Sequence, residues 1–305
     1  MSRVDTRFAS GPGWCAAWWY EPDAVSVVES RGPVVVMAHG LGSVMQMRLD
    51  SYAERFVAQG YRVLVFDYRH FGASDGEPRG LLDIGRQLDD WAAALHHVRS
   101  LPGVDVDRIV LWGTSFSGGH VIEVAVRDGR IAAIISQVPF TDGLSSLRAL
   151  GPVSSLKVAA LGVRDVLRAG RGALPVRVDL VGNRGDAALM TAPDARPGFE
   201  ALIPPDAGPP DRVAARIGLR IALYYPGRAA AALECPALFC VAMNDSVAPA
   251  RSTLWHVRKA RLGRIERYRT GHFDVYVQPW FDRVVADQVR FLSDTVPVTR
   301  PGPDA

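Results

Sequence analysis

Arg108-Ile-Val-Leu-Trp112 runs directly into Gly113-Thr-Ser-Phe-Ser-Gly-Gly119. A short unbroken apolar run followed by small residues around a serine predicts a buried strand, a sharp turn that presents Ser115, and a helix starting behind it. A serine hydroxyl is a weak nucleophile at its own pKa. It therefore needs a base within hydrogen-bond reach and a third group to orient that base.

Four further apolar runs, at 33–38, 61–66, 131–138 and 236–243, share the unbroken character of 108–112. Strands apolar on both faces belong in a parallel sheet covered by helices on each side. Helical patterns lie between them. Residues 51–59 stop at Gly60; Leu82, Leu88, Trp91, Leu95 and Val98 form one stripe; 116–127 follows the turn; and 279–295 is an amphipathic last helix. Strand and helix alternating in this way predict right-handed βαβ units and a doubly wound, mostly parallel α/β sheet. Segments 14–20 and 24–29 are expected to form its antiparallel edge.

At 305 residues with 48% apolar and 22% charged content, the chain can bury a full core, and one folding unit with an insertion accounts for its length. Residues 142–233 interrupt the alternation and are too many for a loop. The expected organisation is a core over 1–140, an insertion over 141–233, the rest of the core over 234–296, and a disordered tail over 297–305. Within the insertion Leu156, Ala160, Val163 and Leu167 make an apolar stripe beside a basic one of Lys157, Arg164, Arg168 and Arg171. Such a helix packs its apolar face on the core or over the pocket, or rests on a membrane surface; the first is the expectation.

The formal charge of +3, from 35 basic against 32 acidic residues, is too small an excess to indicate nucleic acid. Three cysteines, Cys15, Cys235 and Cys240, have no framework spacing and read as free thiols in a reducing compartment. The absence of an apolar signal core in the first residues, and of any long apolar run, points to a cytoplasmic protein without stable membrane insertion.

Two downstream residues suit the serine. Asp245 follows the apolar run 236–243, at the carboxyl end of a predicted strand, where sites in open α/β sheets assemble. His272 lies in Thr270-Gly-His272-Phe-Asp, between a short strand and the last helix. Asp142, just after the strand at 131–138, is the alternative acid. No histidine spacing suits zinc, and neither metal nor cofactor is expected.

The elbow, the order Ser115, Asp245, His272, the stretch His39-Gly-Leu-Gly42 after the first parallel strand, and Asp67-Tyr-Arg-His-Phe-Gly-Ala-Ser74 together resemble the α/β-hydrolase superfamily. Its esterase-like and dienelactone-hydrolase-like members come nearest. Serine at 117, where the family usually has glycine, is a departure. The resemblance implies a mainly helical cap inserted after the sixth strand, a catalytic triad of Ser115, Asp245 and His272, and an oxyanion hole from the N–H groups of Leu41 and Phe116. It implies an architectural role for Asp67, Arg69 and Asp75. The implied activity is a serine hydrolase cleaving a carboxylic ester, or a related acyl bond, of a small, mainly apolar substrate through an acyl-enzyme. An acyltransferase using the same intermediate and a non-catalytic ligand-binding member are the alternatives, and a homodimer is left open.

Overall fold

The computed structural model of the chain describes residues 1–23, 31–205 and 212–298. Its elements in chain order are β1 (Ser2–Ser10), β2 (Gly13–Glu21), β3 (Gly32–Ala38), α1 (Leu49–Val57), β4 (Arg62–Phe66), α2 (Ile84–Ser100), β5 (Val104–Thr114), α3 (Phe116–Asp128) and β6 (Ala133–Gln137). The insertion follows, with α4 (Gly143–Leu150), α5 (Pro152–Ala169), β7 (Arg177–Val181), β8 (Ala188–Met190), α6 (Ala195–Glu200), β9 (Arg212–Ala214) and α7 (Gly218–Ile221). The chain then returns through β10 (Ala237–Ala242), α8 (Ala250–Val257), β11 (Gly263–Tyr268) and α9 (Trp280–Thr295).

All five unbroken apolar runs are strands of one eight-stranded sheet in the order β1-β2-β4-β3-β5-β6-β10-β11. From β4 onward every pairing is parallel, and β1 and β2 form an antiparallel edge. β3, β4, β6 and β10 are buried at nearly every position, which is why their sequences carry no alternation. The edge differs in composition from the expected one. Its outer strand is the polar segment β1, paired residue for residue with β2, whereas 24–29 lies outside the described residues, as do residues 299–305 of the expected tail.

Strand order reverses at β3, which has β4 on one side and β5 on the other. The loops after β3 and β5 therefore diverge and leave a crevice at their carboxyl ends. Those loops carry Leu41 and Ser115.

The insertion lies between the sixth and seventh strands of the main sheet, and it adds a three-stranded sheet, β8-β7-β9, to its helices. Strands of only three to five residues leave too short a periodicity to read. The orientation of α5 also differs from expectation. Its buried residues are Ser154, Val158, Gly162 and Asp165, while Leu156, Val163 and Leu167 face outward. A Cβ on Gly162 would stand 2.9 Å from Leu219 Cγ and 3.0 Å from the Ala215 carbonyl, so the small face is what permits close packing on 215–219. Asp165 anchors that face by accepting from the Arg216 backbone at 3.0 Å, the Arg216 guanidinium at 2.6 Å and Val176 N at 2.8 Å. A buried ion pair outweighs the apolar stripe in setting which side turns inward.

Among the described residues no helix is long and apolar enough to cross a membrane.

Candidate active site

Ser115 sits at φ 55°, ψ −116°, a backbone conformation that residues other than glycine rarely hold. The surroundings enforce it. Ser115 N donates to the Gln137 carbonyl at 2.8 Å, and Phe140 N donates to the Ser115 carbonyl at 2.8 Å. Gly113 is required for the crossing of β5 and α3, since a Cβ there would lie 2.2 Å from the Ser117 carbonyl oxygen. Serine at 117 is accommodated because its hydroxyl has a partner, the Tyr68 hydroxyl at 2.7 Å, itself bonded by the Trp91 indole N–H at 2.8 Å.

The three residues expected from sequence meet. His272 Nε2 is 2.9 Å from Ser115 Oγ, and His272 Nδ1 is 2.7 Å from Asp245 Oδ2. A carboxylate only accepts, so the imidazole N–H lies on Nδ1 and Nε2 is free to accept the serine proton. Asp245 is held in turn, its Oδ1 receiving Val247 N at 2.9 Å and Ala248 N at 2.7 Å. The histidine and aspartate side chains are each 2% exposed, so the pair acts where bulk water screens little. Asp142 is elsewhere. It caps α4 by accepting from Ser145 N at 2.9 Å and bonds Ser252 and a different histidine, His256, at 3.4 Å.

Leu41 and Phe116 flank the serine. Phe116 is the first residue of α3, whose N–H has no intrahelical acceptor to satisfy it. Leu41 follows Gly40, where a Cβ would come within 2.8 Å of Ser115 Cβ; glycine alone lets the two loops approach. His39 fixes this loop, accepting from Gly40 N at 2.7 Å and bonding the Met47 carbonyl at 2.9 Å. Burial holds its pKa down to about 4, so at neutral pH it is uncharged. Asp67 braces the same loop through Met45 N at 2.7 Å, and Arg69 pairs with the buried Asp90, in keeping with architectural roles.

Two cavities flank Ser115. The first, about 60 Å³, is lined by Leu41 and Phe116 together with apolar side chains that include Phe140, Leu150, Val158 and Ile221. The second, about 10 Å³, lies on the His272 side beside Phe199 and Phe273. A larger groove of about 1030 Å³, between α4 and α8, does not reach the serine.

Sequence reasoning missed how closely the insertion grips this site. Asp194 accepts from Ser246 beside the acid loop at 2.6 Å, Leu180 packs over Gly42, and Gly198 lies against the Phe273 ring next to His272. None of these contacts has a local sequence signal. Among the described residues no group of three or more histidine, cysteine or carboxylate side chains is set to hold a metal. All three cysteines are free, and burial pushes the Cys235 and Cys240 thiols up to about 11 and about 12, which keeps them protonated.

The family model described as serine aminopeptidase, S33, matches residues 29–168, a span that includes the elbow. The chain is 50% identical over 295 residues to the quorum-quenching protein AidA of Acinetobacter baumannii (strain MDR-ZJ06), covering 97% of this chain and 96% of that one. It is 31% identical over 185 residues to the polyketide transferase ATR5 of Stachybotrys chlorohalonatus (strain IBT 40285), covering 61% and 59%. The crystal structure of the α/β hydrolase GrgF from Penicillium sp. sh18 superposes with a TM-score of 0.83 at 22% identity over 97% of this chain and 99% of that one. The chain belongs to the α/β-hydrolase superfamily, as an enzyme of its serine-hydrolase class acting on carboxylic ester or related acyl bonds.

Proposed function

We propose that Ser115 attacks an acyl carbonyl, that His272 takes the hydroxyl proton and returns it to the leaving group, and that Asp245 holds the imidazole in the tautomer this requires. The observation that supports this most is the continuous chain from Ser115 Oγ to His272 at 2.9 Å and on to Asp245 at 2.7 Å. The N–H groups of Leu41 and Phe116 receive the charge that develops on the carbonyl oxygen, each contributing about 3 kcal/mol to lowering the barrier. Expulsion of the alcohol leaves the acyl group on Ser115. Water, deprotonated by His272, then releases the acid. No metal or cofactor enters any step.

The insertion acts as the cap. Its side chains roof the cavity beside the two oxyanion donors, which suits the acyl group. The narrow apolar lining favours a small, mainly apolar substrate with a slim medium-length acyl chain or an aryl group. The name of the 50% identical relative leads us to extend its role to this chain, as the removal of a small diffusible signal bearing such an acyl bond. The free thiols support a cytoplasmic setting.

A second reading, acyl transfer to an alcohol or amine, is favoured by the burial of His272, 1% exposed, which limits water at the acyl-enzyme, and by the transferase name of the relative from Stachybotrys. A series of p-nitrophenyl esters of increasing acyl length, run with and without an added alcohol, tests both. Free acid as the main product, with medium acyl groups preferred, is expected. Preference for acetate over every longer chain would overturn the acyl assignment, and transfer product dominating at low alcohol concentration would overturn the hydrolase reading.

A further inference from the structure

The outward face of α5 is unlike the rest of the surface. Val153, Leu156, Val163, Val166, Leu167 and, just beyond the helix, Leu174 are between 49% and 79% exposed. Five of the six belong to one helix, and Val153, Leu156, Ala160, Val163 and Leu167 recur at the three- and four-residue spacing that aligns side chains along one face. Contiguous large apolar side chains in water are costly, and such patches mark sites that something covers.

The charges beside this face point to what covers it. Lys157, Arg164 and Arg168 follow the apolar positions by one residue, and Arg171 lies just past the helix end. All four are exposed, and among the described residues none pairs with a carboxylate. Lys157 donates to the Gly185 carbonyl, Arg168 to that of Leu174 and Arg171 to that of Leu167. Asp165, the only acid between 152 and 174, is fully buried and neutralised by Arg216. Along the helix itself the face is therefore apolar and cationic, with no free negative charge.

We propose that α5 docks on an anionic lipid surface, lying in the interface with its leucines and valines among the acyl chains and its lysine and arginines at the headgroups. A helix with this division of residues lies in the interfacial plane rather than spanning it, and each cation near an anionic leaflet adds to binding. A second copy of the chain fits less well. A two-fold interface sets the same patch against itself, bringing eight cations together with no free acid on either helix to offset them. The inward face of the same helix supplies Ser155 and Val158 to the cavity beside Ser115, so docking holds the roof of the site against the lipid.

The surface is tested by sedimenting the full chain with vesicles of phosphatidylcholine alone and of phosphatidylcholine mixed with phosphatidylglycerol. Binding is expected only to the mixed vesicles, weakening as salt is raised. The double variants Leu156→Asp with Leu167→Asp, and Arg164→Glu with Arg168→Glu, should each bind about tenfold more weakly or worse. Both should turn over a soluble p-nitrophenyl ester at the wild-type rate, since none of the four side chains lines the cavity. Failure of the wild-type chain to bind mixed vesicles at low salt, or undiminished binding by both variants, overturns the proposal. So does a wild-type dimer in sedimentation that the leucine variant dissociates, which would assign the face to self-association.

Discussion

The Tyr224 hydroxyl donates to Nδ1 of His120 at 2.7 Å, joining the insertion to the helix that starts at the nucleophile. The direction follows from the other ring nitrogen. Nε2 lies 3.0 Å from Gln87 Oε1, which can only accept, so Nε2 carries the hydrogen and Nδ1 must receive one. Tyr224 also stacks on Phe140 and meets Phe116 edge to face, so one side chain touches the floor of the cavity and the residue after the nucleophile.

Tyr224→Phe keeps these ring contacts and removes only the donor, leaving Nδ1 of a fully buried histidine without a partner. Urea denaturation should show a loss of about 1 to 3 kcal/mol. An unchanged midpoint would mean that the ring contacts alone secure the insertion.

Ser115→Ala should lower kcat/KM by at least about 10³-fold, leave the melting temperature unchanged, and abolish stoichiometric labelling by a fluorophosphonate. Asp245→Asn should cost on the order of 10³- to 10⁴-fold in kcat, because the amide no longer enforces the Nδ1–H tautomer. Asp142→Asn should leave kcat close to wild type, as that carboxylate caps α4 and faces His256. Reversal of these last two results would move the acid to Asp142.

The meeting of Ser115, Asp245 and His272, the loop at 39–42 beside the serine and the parallel strands were legible because each is carried by a short stretch whose chemistry is local: a buried strand is apolar throughout, and an elbow needs small residues around its serine. The outward turn of α5 was not. A stripe of Leu156, Ala160, Val163 and Leu167 shows that a helix has two unlike faces, but which face turns inward was decided by Gly162 and by the Asp165–Arg216 pair, whose partners lie some fifty residues downstream. β1 escaped notice for a related reason: an edge strand with mostly exposed side chains has no apolar pattern to show.

Gly40→Ala probes the approach of the two loops. The added methyl would meet Ser115 Cβ at 2.8 Å and the Thr114 carbonyl oxygen at 3.1 Å, and neither neighbour can swing away. Relief must come from moving the loop that carries Leu41 or the elbow, and a displacement approaching 1 Å costs on the order of 10²-fold in rate. Steady-state kinetics should show that loss in kcat with KM little altered, whereas an unchanged kcat would show that this contact does not position the site.

Stability should fall as pH is lowered from 6.5 toward 4. Burial holds His39 down to about 4 and His120 down to about 3, against an ordinary 6.5, so across this window the unfolded chain binds protons that the folded chain refuses. Each of the two contributes a slope of about 1.4 kcal/mol per pH unit. Burial lowers His70, His97 and His256 in the same direction. Asp67 opposes them: its carboxyl, raised to about 6 by burial, takes up a proton in the folded state before the unfolded chain does at 3.8, which adds stability over that interval. Two deeply buried histidines against one carboxyl leave a net loss of about 1.4 kcal/mol per unit between pH 6 and 4 before the partly exposed histidines are added. Urea midpoints at successive pH values measure this slope, and His120→Gln, which removes one of the refused protons, should reduce it by about 1.4 kcal/mol per unit. A variant that keeps the full slope would show that the histidine beneath the nucleophile is not one of the groups that sets it.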